Sequence, residues 1–427
     1  MVKLIRQGVY YMDGRIVKEA QAFYTSDKKE KAEKNTLSYA ILKAHNIGDE
    51  ENLRLRFDAI ASHDITYVGI IQTAKASGLK EFPIPYTLTN CHNSLCAVGG
   101  TINEDDHVFG LSAAKKYGGD YVPAHLAVIH QYMRECAAKC GAMILGSDSH
   151  TRYGALGTLA VGEGGPELVK QLLRQTYDVR RPEVIAVYLK GKLRKGVGPQ
   201  DVALALIRAT FASGFVKNKI LEFIGPGIAG LSMDYRIGID VMTTETTCLS
   251  SVWETDDKTR EYLKEHGREE GYREMKVAQP AYYDGAVTID LSRVEPMIAL
   301  PFHPSNAYTI REFLADPIPL LKAAEEQGRK IKGDGSFTLT DKVRDGKVYV
   351  TQGIIAGCAG GGYENVAEAA EILRGKSVGT GEFSLSVYPA SQPVYKALTD
   401  AGYTSVLMEA GAVVKTAFCG PCFGAGD

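Results

Sequence analysis

The chain has 427 residues, 45% of them hydrophobic and 23% charged, with a formal net charge of −2 at pH 7. That length exceeds one ordinary core and implies two or three domains. The well-mixed, near-zero charge gives no electrostatic case for nucleic acid or an anionic membrane. No apolar run reaches bilayer-spanning length and the start, MVKLIRQGVYYMDGR, lacks a signal-peptide stretch, so the 8 cysteines read as cytoplasmic thiols used for ligation or catalysis.

In chain order, residues 26–45 predict a charged helix start followed by an apolar face at Leu37, Ala40, Ile41 and Ala44. Residues 142–145 read as a short buried strand ending at Gly146, 166–177 as a helix and 184–189 as a strand. A basic, Gly-rich stretch at 190–198 marks a first boundary, and a helix follows over 199–214. A second Gly- and Lys-rich stretch, 330–346, marks another. Beyond it come a strand over 348–356, a helix over 364–373, a strand over 383–388, a helix over 391–401 and a strand over 412–416. This alternation favours α/β layers with mainly parallel sheets. The expected domains are 1–193, 194–343 and 344–427.

Three cysteines carry the sharpest chemical signal. Cys358 lies just past one predicted strand, and Cys419 and Cys422, in Cys-Gly-Pro-Cys, just past another. Ligand sites in open α/β sheets gather at those ends. About sixty residues separate Cys358 from Cys419, enough for the chain to leave the sheet and return to the same edge. Three thiolates on a four-iron cubane leave one iron open, and an open iron acts as a Lewis acid. The same residues also suit a redox CxxC or a zinc half-site, although residues 358–427 contain no further Cys or His to complete zinc. A second constellation, Gly146-Ser147-Asp148-Ser149-His150-Thr151, places an Asp beside a His with hydroxyls suited to a carboxylate; it is equally a good helix-capping turn.

The order of Gly146-Ser-Asp-Ser-His-Thr151, Gly154-Ala-Leu-Gly157, Val161-Gly-Glu-Gly-Gly165, Cys358 and Cys419-Gly-Pro-Cys422 resembles the aconitase superfamily of hydro-lyases. Further similar stretches are Val128-Ile-His-Gln131, Glu222-Phe-Ile-Gly-Pro-Gly227 and the segment 294–304, so that the likeness runs from about residue 30 to 427. The resemblance implies three α/β domains around a central cleft, lacking the C-terminal swivelling domain. It implies a [4Fe-4S] cluster on Cys358, Cys419 and Cys422, with one iron open to a di- or tricarboxylic hydroxy-acid. By the same likeness His92, His130, Asp148, His150 and Glu245 are catalytic, and Ser149 and Tyr67 contact substrate. The other histidines, His45, His63, His107, His125, His266 and His303, read as structural.

The pattern also departs from the family. Cys91 stands where an Asp usually precedes His92, Ala359-Gly360 where Thr-Asn usually follows the first cluster Cys, Val241 where an Asn is usual, and Tyr67 where the substrate-reading Gln is usual. Metal ligands are kept while substrate-reading groups change, which implies a divergent hydratase with a substrate other than citrate or isocitrate. Cys91 and Cys96 read as structural thiols. The family's serine base and carboxylate-clamping arginines lie C-terminal to the Cys-Gly-Pro-Cys motif, so the chain is expected to be a truncated, inactive part of a longer enzyme whose cluster is easily lost. Alternatives are an iron or redox sensor, or an RNA-binding relative; pI near 6.5 and the lack of a basic stripe weigh against RNA.

Overall fold

The computed structural model describes residues 1–22, 26–92 and 100–426. Cys96 therefore lies outside the described residues. The fold is mixed α/β, with parallel sheets at its centre.

The first sheet has five parallel strands in the spatial order Asp120–Val122, Tyr86–Thr89, Ala59–His63, Met143–Gly146, Leu159–Gly162. The chain starts in the middle, winds to one edge, then returns to wind to the other. The reversal falls between Ala59–His63 and Met143–Gly146, so their carboxyl ends open onto the crevice where such sheets bind ligands. Ile60, Leu88, Met143 and Leu145 are wholly buried, as expected for strands covered on both faces.

The second sheet is ordered Val2–Ile5, Gly285–Asp290, Val184–Lys190, Ile220–Ile224, Ser250–Trp253. Its last four strands are parallel, and the N-terminal strand pairs antiparallel at the edge. Both the first strand of the chain and Val184–Lys190 thus belong to this sheet, although they lie within the range 1–193. Phe223 stacks on Trp253 at 4.0 Å in its core. Glu222, fully buried in the inner strand Ile220–Ile224, accepts hydrogen bonds from the Leu37 and Ser38 N–H groups at 3.0 and 2.9 Å, from Ser38 Oγ at 2.7 Å and from Tyr283 O–H at 2.8 Å. Burial raises its pKa; these donors oppose that. It satisfies the first N–H groups of helix Leu37–His45 and docks that helix on the sheet. The helix buries Leu37, Ser38, Ile41 and Leu42, whereas Ala40 and Ala44 face outward. Docking by Glu222 rotates the buried stripe away from the expected one.

The third sheet is smaller: Gln352–Ile355, Ser384–Val387 and Val413–Val414, all parallel, covered by helices Tyr363–Leu373, Gln392–Asp400 and Tyr403–Glu409 around Val366, Ala370, Val387, Leu398 and Leu407. Its outer strands are shorter than the sequence suggested, and residues 403–409 add a helix. Cys358 and Cys419 both follow carboxyl ends of its strands. The third unit is tied to the first by Cys419 N–H donating to Cys91 C=O at 2.8 Å, and by Ser391 Oγ donating to the buried Glu135 at 2.7 Å. Among the described residues, no helix is long and apolar enough to cross a membrane.

Candidate active site

Asp148 is the centre of the site. It follows the strand Met143–Gly146 at the sheet's reversal point, and the paired glycines ending this strand and its neighbour Leu159–Gly162 pack closely on the turn. A Cβ on Gly162 would fall 2.3 Å from the Asp148 carbonyl oxygen, and one on Gly146 would fall 2.1 Å from Thr151 Oγ1. Oδ1 lies 2.9 Å from His130 Nε2 and accepts the His150 backbone N–H at 2.7 Å. Oδ2 lies 3.2 Å from His92 Nε2 and 3.6 Å from His63 Nε2. Four imidazoles from four separate segments thus surround one buried carboxylate, the His150 ring standing 3.7 Å away.

The charges sort themselves by environment. Burial opposes ionisation of Asp148, but contact with His130 and hydrogen bonds from His130, His150 and His92 override it and hold the carboxyl far below its usual range. His130 is wholly buried, and that desolvation brings it down to about 4 despite Asp148, so it is neutral. Its Nδ1 faces Tyr153 O–H at 3.1 Å, and burial keeps that phenol protonated. The phenol therefore donates to Nδ1, which leaves the proton of His130 on Nε2, facing Asp148. His63 is likewise pushed down to about 3, first by burial and then by the neighbouring His92, on which it stacks at 3.9 Å.

His92 and His150 go the other way. For His92, burial is outweighed by the Cys91 sulfur and Asp148, and the imidazole rises to about 10. For His150, burial is outweighed by Asp148 and Glu245, and it rises to about 9. Glu245 Oε1 lies 3.1 Å from His150 Nε2, and that hydrogen bond lowers the carboxyl. The site at neutral pH holds two imidazolium ions, two neutral imidazoles and two carboxylates. Proton donors and acceptors therefore stand side by side.

Glu245 is brought in from the second unit. It sits in the short turn Met242–Thr246 before the strand Ser250–Trp253. Thr244 Oγ1 donates to Ser149 C=O at 2.6 Å and Ser250 Oγ to Ala160 C=O at 2.6 Å, joining that turn to the first sheet. Ser149 is exposed beside the His150 ring, 3.4 Å from Nδ1.

Cys358, Cys419 and Cys422 enter from the third unit. Gly357 has φ +79°, and a Cβ there would lie 2.5 Å from Cys422 Sγ, so only glycine leaves that sulfur room. Arg134, almost fully buried, donates to Cys358 C=O at 3.3 Å. Burial pushes the Cys358 thiol up to about 12, against Arg134; Cys422 and Asp148 push the same way. Burial also raises Cys422, with Asp148 and Cys91 adding to it, so the thiols and the Asp148 group feel one another's charge. Protein hydrogen bonds alone do little to stabilise these thiolates. Thiols raised in this way suit a positively charged group that would deprotonate them.

Sequence reasoning missed two residues here. His63 ends the strand beside Met143–Gly146 and faces Asp148, and His303 Nε2 lies 3.5 Å from Glu245 Oε2. The other direction also holds. Tyr67, expected on the substrate, is fully buried on the inner face of helix Asp64–Ala76 with Ile70, Ile71 and Ala74. Its hydroxyl donates to Asn90 Oδ1 at 2.6 Å or Asp106 C=O at 2.9 Å. These two partners, Asn90 and Asp106, are not among the groups gathered around Asp148. His92, which follows Cys91 rather than the usual Asp, is oriented on several sides: Cys91 Sγ lies 3.3 Å from Nδ1, Asp148 faces Nε2, and Asp64 accepts the His92 backbone N–H at 3.0 Å.

The family model described as "Aconitase family (aconitate hydratase)" matches residues 39–427. The chain belongs to the aconitase family. It is 32% identical to the 3-isopropylmalate dehydratase large subunit 2 of Archaeoglobus fulgidus, over 75% of this chain and 69% of that one. It is 32% identical to the 2,3-dimethylmalate dehydratase large subunit of Eubacterium barkeri, over 66% of this chain and 60% of that one. It is 29% identical to the mitochondrial aconitate hydratase of Schizosaccharomyces pombe, over 87% of this chain and 46% of that protein. The chain thus spans under two thirds of the length of the last two. The family implies a [4Fe-4S] cluster; Cys419 feels the charges of Cys358 and Cys422, and Gly357 leaves room for the Cys422 sulfur, a donor set of the kind such a cluster takes.

Proposed function

We propose that this chain carries the hydration centre of an aconitase-type hydro-lyase acting on a small di- or tricarboxylic hydroxy-acid. The observation that supports it most is Asp148, which gathers His63, His92, His130 and His150 beside the three family cysteines. Cys358, Cys419 and Cys422 would hold the cluster. When bound, it supplies a Lewis acid that weakens a carbon–hydroxyl bond.

The chain's own residues do the rest. The Cys91 sulfur and Asp148 hold His92 protonated, Asp148 and Glu245 hold His150 protonated, and each imidazolium is a proton donor toward a departing hydroxyl. Neutral His130, its Nδ1 taken by Tyr153, keeps the carboxylate fixed between the rings. Glu245 holds the outer nitrogen of His150, and Ser149 offers an exposed hydroxyl to a substrate carboxylate. The base for the carbon-bound proton lies, by the family resemblance, beyond Cys422. The domain division at 193 and 343 and a cytoplasmic location belong to the same reading. An iron or redox sensor, or an RNA-binding role, has less support, because the named relatives are dehydratases and hydratases.

The test is anaerobic reconstitution of the reduced chain with iron and sulfide, followed by electron paramagnetic resonance while unsaturated di- and tricarboxylic acids are added. The expected result is a brown protein with four irons per chain, at least one acid altering the spectrum of the reduced cluster. Protein with three free family thiols that takes up neither iron nor sulfide overturns the reading.

A further inference from the structure

Cys91 is a thiol beside a cluster ligand that the family's pattern does not use. Its sulfur lies 3.9 Å from Cys419 Sγ, across 328 residues of sequence, and 3.3 Å from His92 Nδ1. All three donor atoms lie within 4.8 Å of one another, and all three residues are buried. At zinc–sulfur bonds of about 2.3 Å, two sulfurs of a tetrahedral site stand about 3.8 Å apart, and sulfur and nitrogen about 3.5 Å apart. The observed separations already approach both values.

The surroundings are those of a ligand set. His92 turns Nδ1 toward the two sulfurs while Nε2 faces Asp148 at 3.2 Å, the carboxylate–histidine arrangement that orients a metal-bound imidazole. The Ile129 backbone N–H donates to Cys91 Sγ at 3.2 Å, and Cys91 C=O accepts the Cys419 N–H, so both cysteines are held by backbone. Cys422 points elsewhere, against Gly357 and the Cys358 loop. Residues 358–427 alone lack the donors to complete a zinc site; Cys91 and His92 supply them from the first sheet.

We propose that Cys91, His92 and Cys419 form a mononuclear site for a thiophilic divalent cation, zinc above all. Two thiolates and an imidazole suit that metal, with a fourth position left to water or an external ligand. Because Cys419 belongs to both sets, this metal and a cluster on Cys358, Cys419 and Cys422 exclude one another. The inference stands on the positions of these three donors, independently of whether the cluster forms.

The probe is cobalt(II), titrated into reduced, chelator-stripped protein under argon, with zinc as competitor. The expected result is one cobalt per chain, showing thiolate-to-cobalt charge transfer and the visible bands of a tetrahedral site. Cys91→Ser lowers the affinity by about 100-fold or more, and Asp148→Asn by about 10–100-fold through the lost imidazole orienter. Cys358→Ser leaves cobalt binding unchanged while preventing cluster assembly. Equal loss in Cys358→Ser and Cys91→Ser, or unchanged affinity in Cys91→Ser, overturns the proposal. X-ray absorption of the zinc-loaded wild-type chain decides it without any variant: two sulfurs and one imidazole support the site, and three sulfurs refute it.

Discussion

Asp148→Asn is the substitution that most directly tests how the site is held. Asn keeps the shape and removes the charge. Asp148 sits 3.2 Å from His92, a contact of about 5 kcal/mol at an effective dielectric of about 20. The variant does not lose all of that, because an unpaired His92 sheds its proton instead. The ring is raised to about 10 by the Cys91 sulfur first and by Asp148 second; because the variant keeps Cys91, the loss at pH 7 is only part of the roughly 4 kcal/mol that the whole rise represents, at about 1.4 kcal/mol per pH unit. That places it at or below the lower end of the roughly 3–5 kcal/mol that follows when one partner of a buried ion pair is removed. Urea unfolding of metal-free protein at pH 7 should therefore show Asp148→Asn about 2–3 kcal/mol less stable, the share of the rise that Cys91 does not supply. Above the His92 pKa the ring is neutral in both proteins, and the difference should shrink to the value of an ordinary hydrogen bond, about 1 kcal/mol. In parallel, the imidazole resonances of His92 and His150 should titrate at lower pH in the variant. A penalty that is the same at both pH values, or under about 1 kcal/mol at pH 7, refutes the charged cluster.

Stability should peak near pH 6.5, the ordinary histidine value. His150, raised to about 9, contributes stability that is complete below about 6.5 and is lost as pH rises through about 9. His130, lowered to about 4, contributes stability present above about 6.5 and lost as pH falls through about 4. Urea midpoints across pH should accordingly fall on both sides, with His130→Gln flattening the acid limb and His150→Gln the alkaline one; a limb unmoved by its variant contradicts the assignment. Gly357→Ala places a methyl 2.5 Å from Cys422 Sγ and forces alanine into φ +79°, a backbone cost of about 1–2 kcal/mol. Iron and sulfide content after anaerobic reconstitution should drop severely while the fold, by circular dichroism, persists. Tyr67→Phe removes a hydroxyl shared between Asn90 and Asp106 and should destabilise by about 1–3 kcal/mol, with ligand-induced spectral changes at the cluster left at wild-type affinity. A raised dissociation constant with unchanged stability would return Tyr67 to the substrate.

What was legible in the sequence was whatever depends on local order along the chain. Strand–turn–cysteine spacing located Cys358 and Cys419 past strand ends, because hydrophobic runs closed by glycine are short-range signals. The α/β class followed from the same alternation. Strand order carries no such signal. Val2–Ile5 pairs with Gly285–Asp290, and nothing within either segment names the other. The Gly-rich stretch 190–198 accordingly lies between Val184–Lys190 and Ile220–Ile224, which are neighbours in one sheet.

The same physics explains why His63 was passed over and Tyr67 favoured. In sequence they are four residues apart, one at the end of a strand and one on the next helix turn. Which of them reaches the ligand depends on where the sheet reverses. The strand Ala59–His63 happens to be the neighbour of Met143–Gly146, so its last side chain meets the turn that carries Asp148. The helix that follows must cover the sheet with the stripe Tyr67, Ile70, Ile71 and Ala74, which turns the phenol inward. A polar residue at the end of the central strand is thus a site candidate by topology, whereas one on a helix's apolar stripe is a buried hydroxyl in need of partners. Tyr67 found them in Asn90 and Asp106, and His63 found Asp148. Among the described residues His63 Nδ1 is buried without a hydrogen-bond partner, an arrangement that carries a desolvation cost.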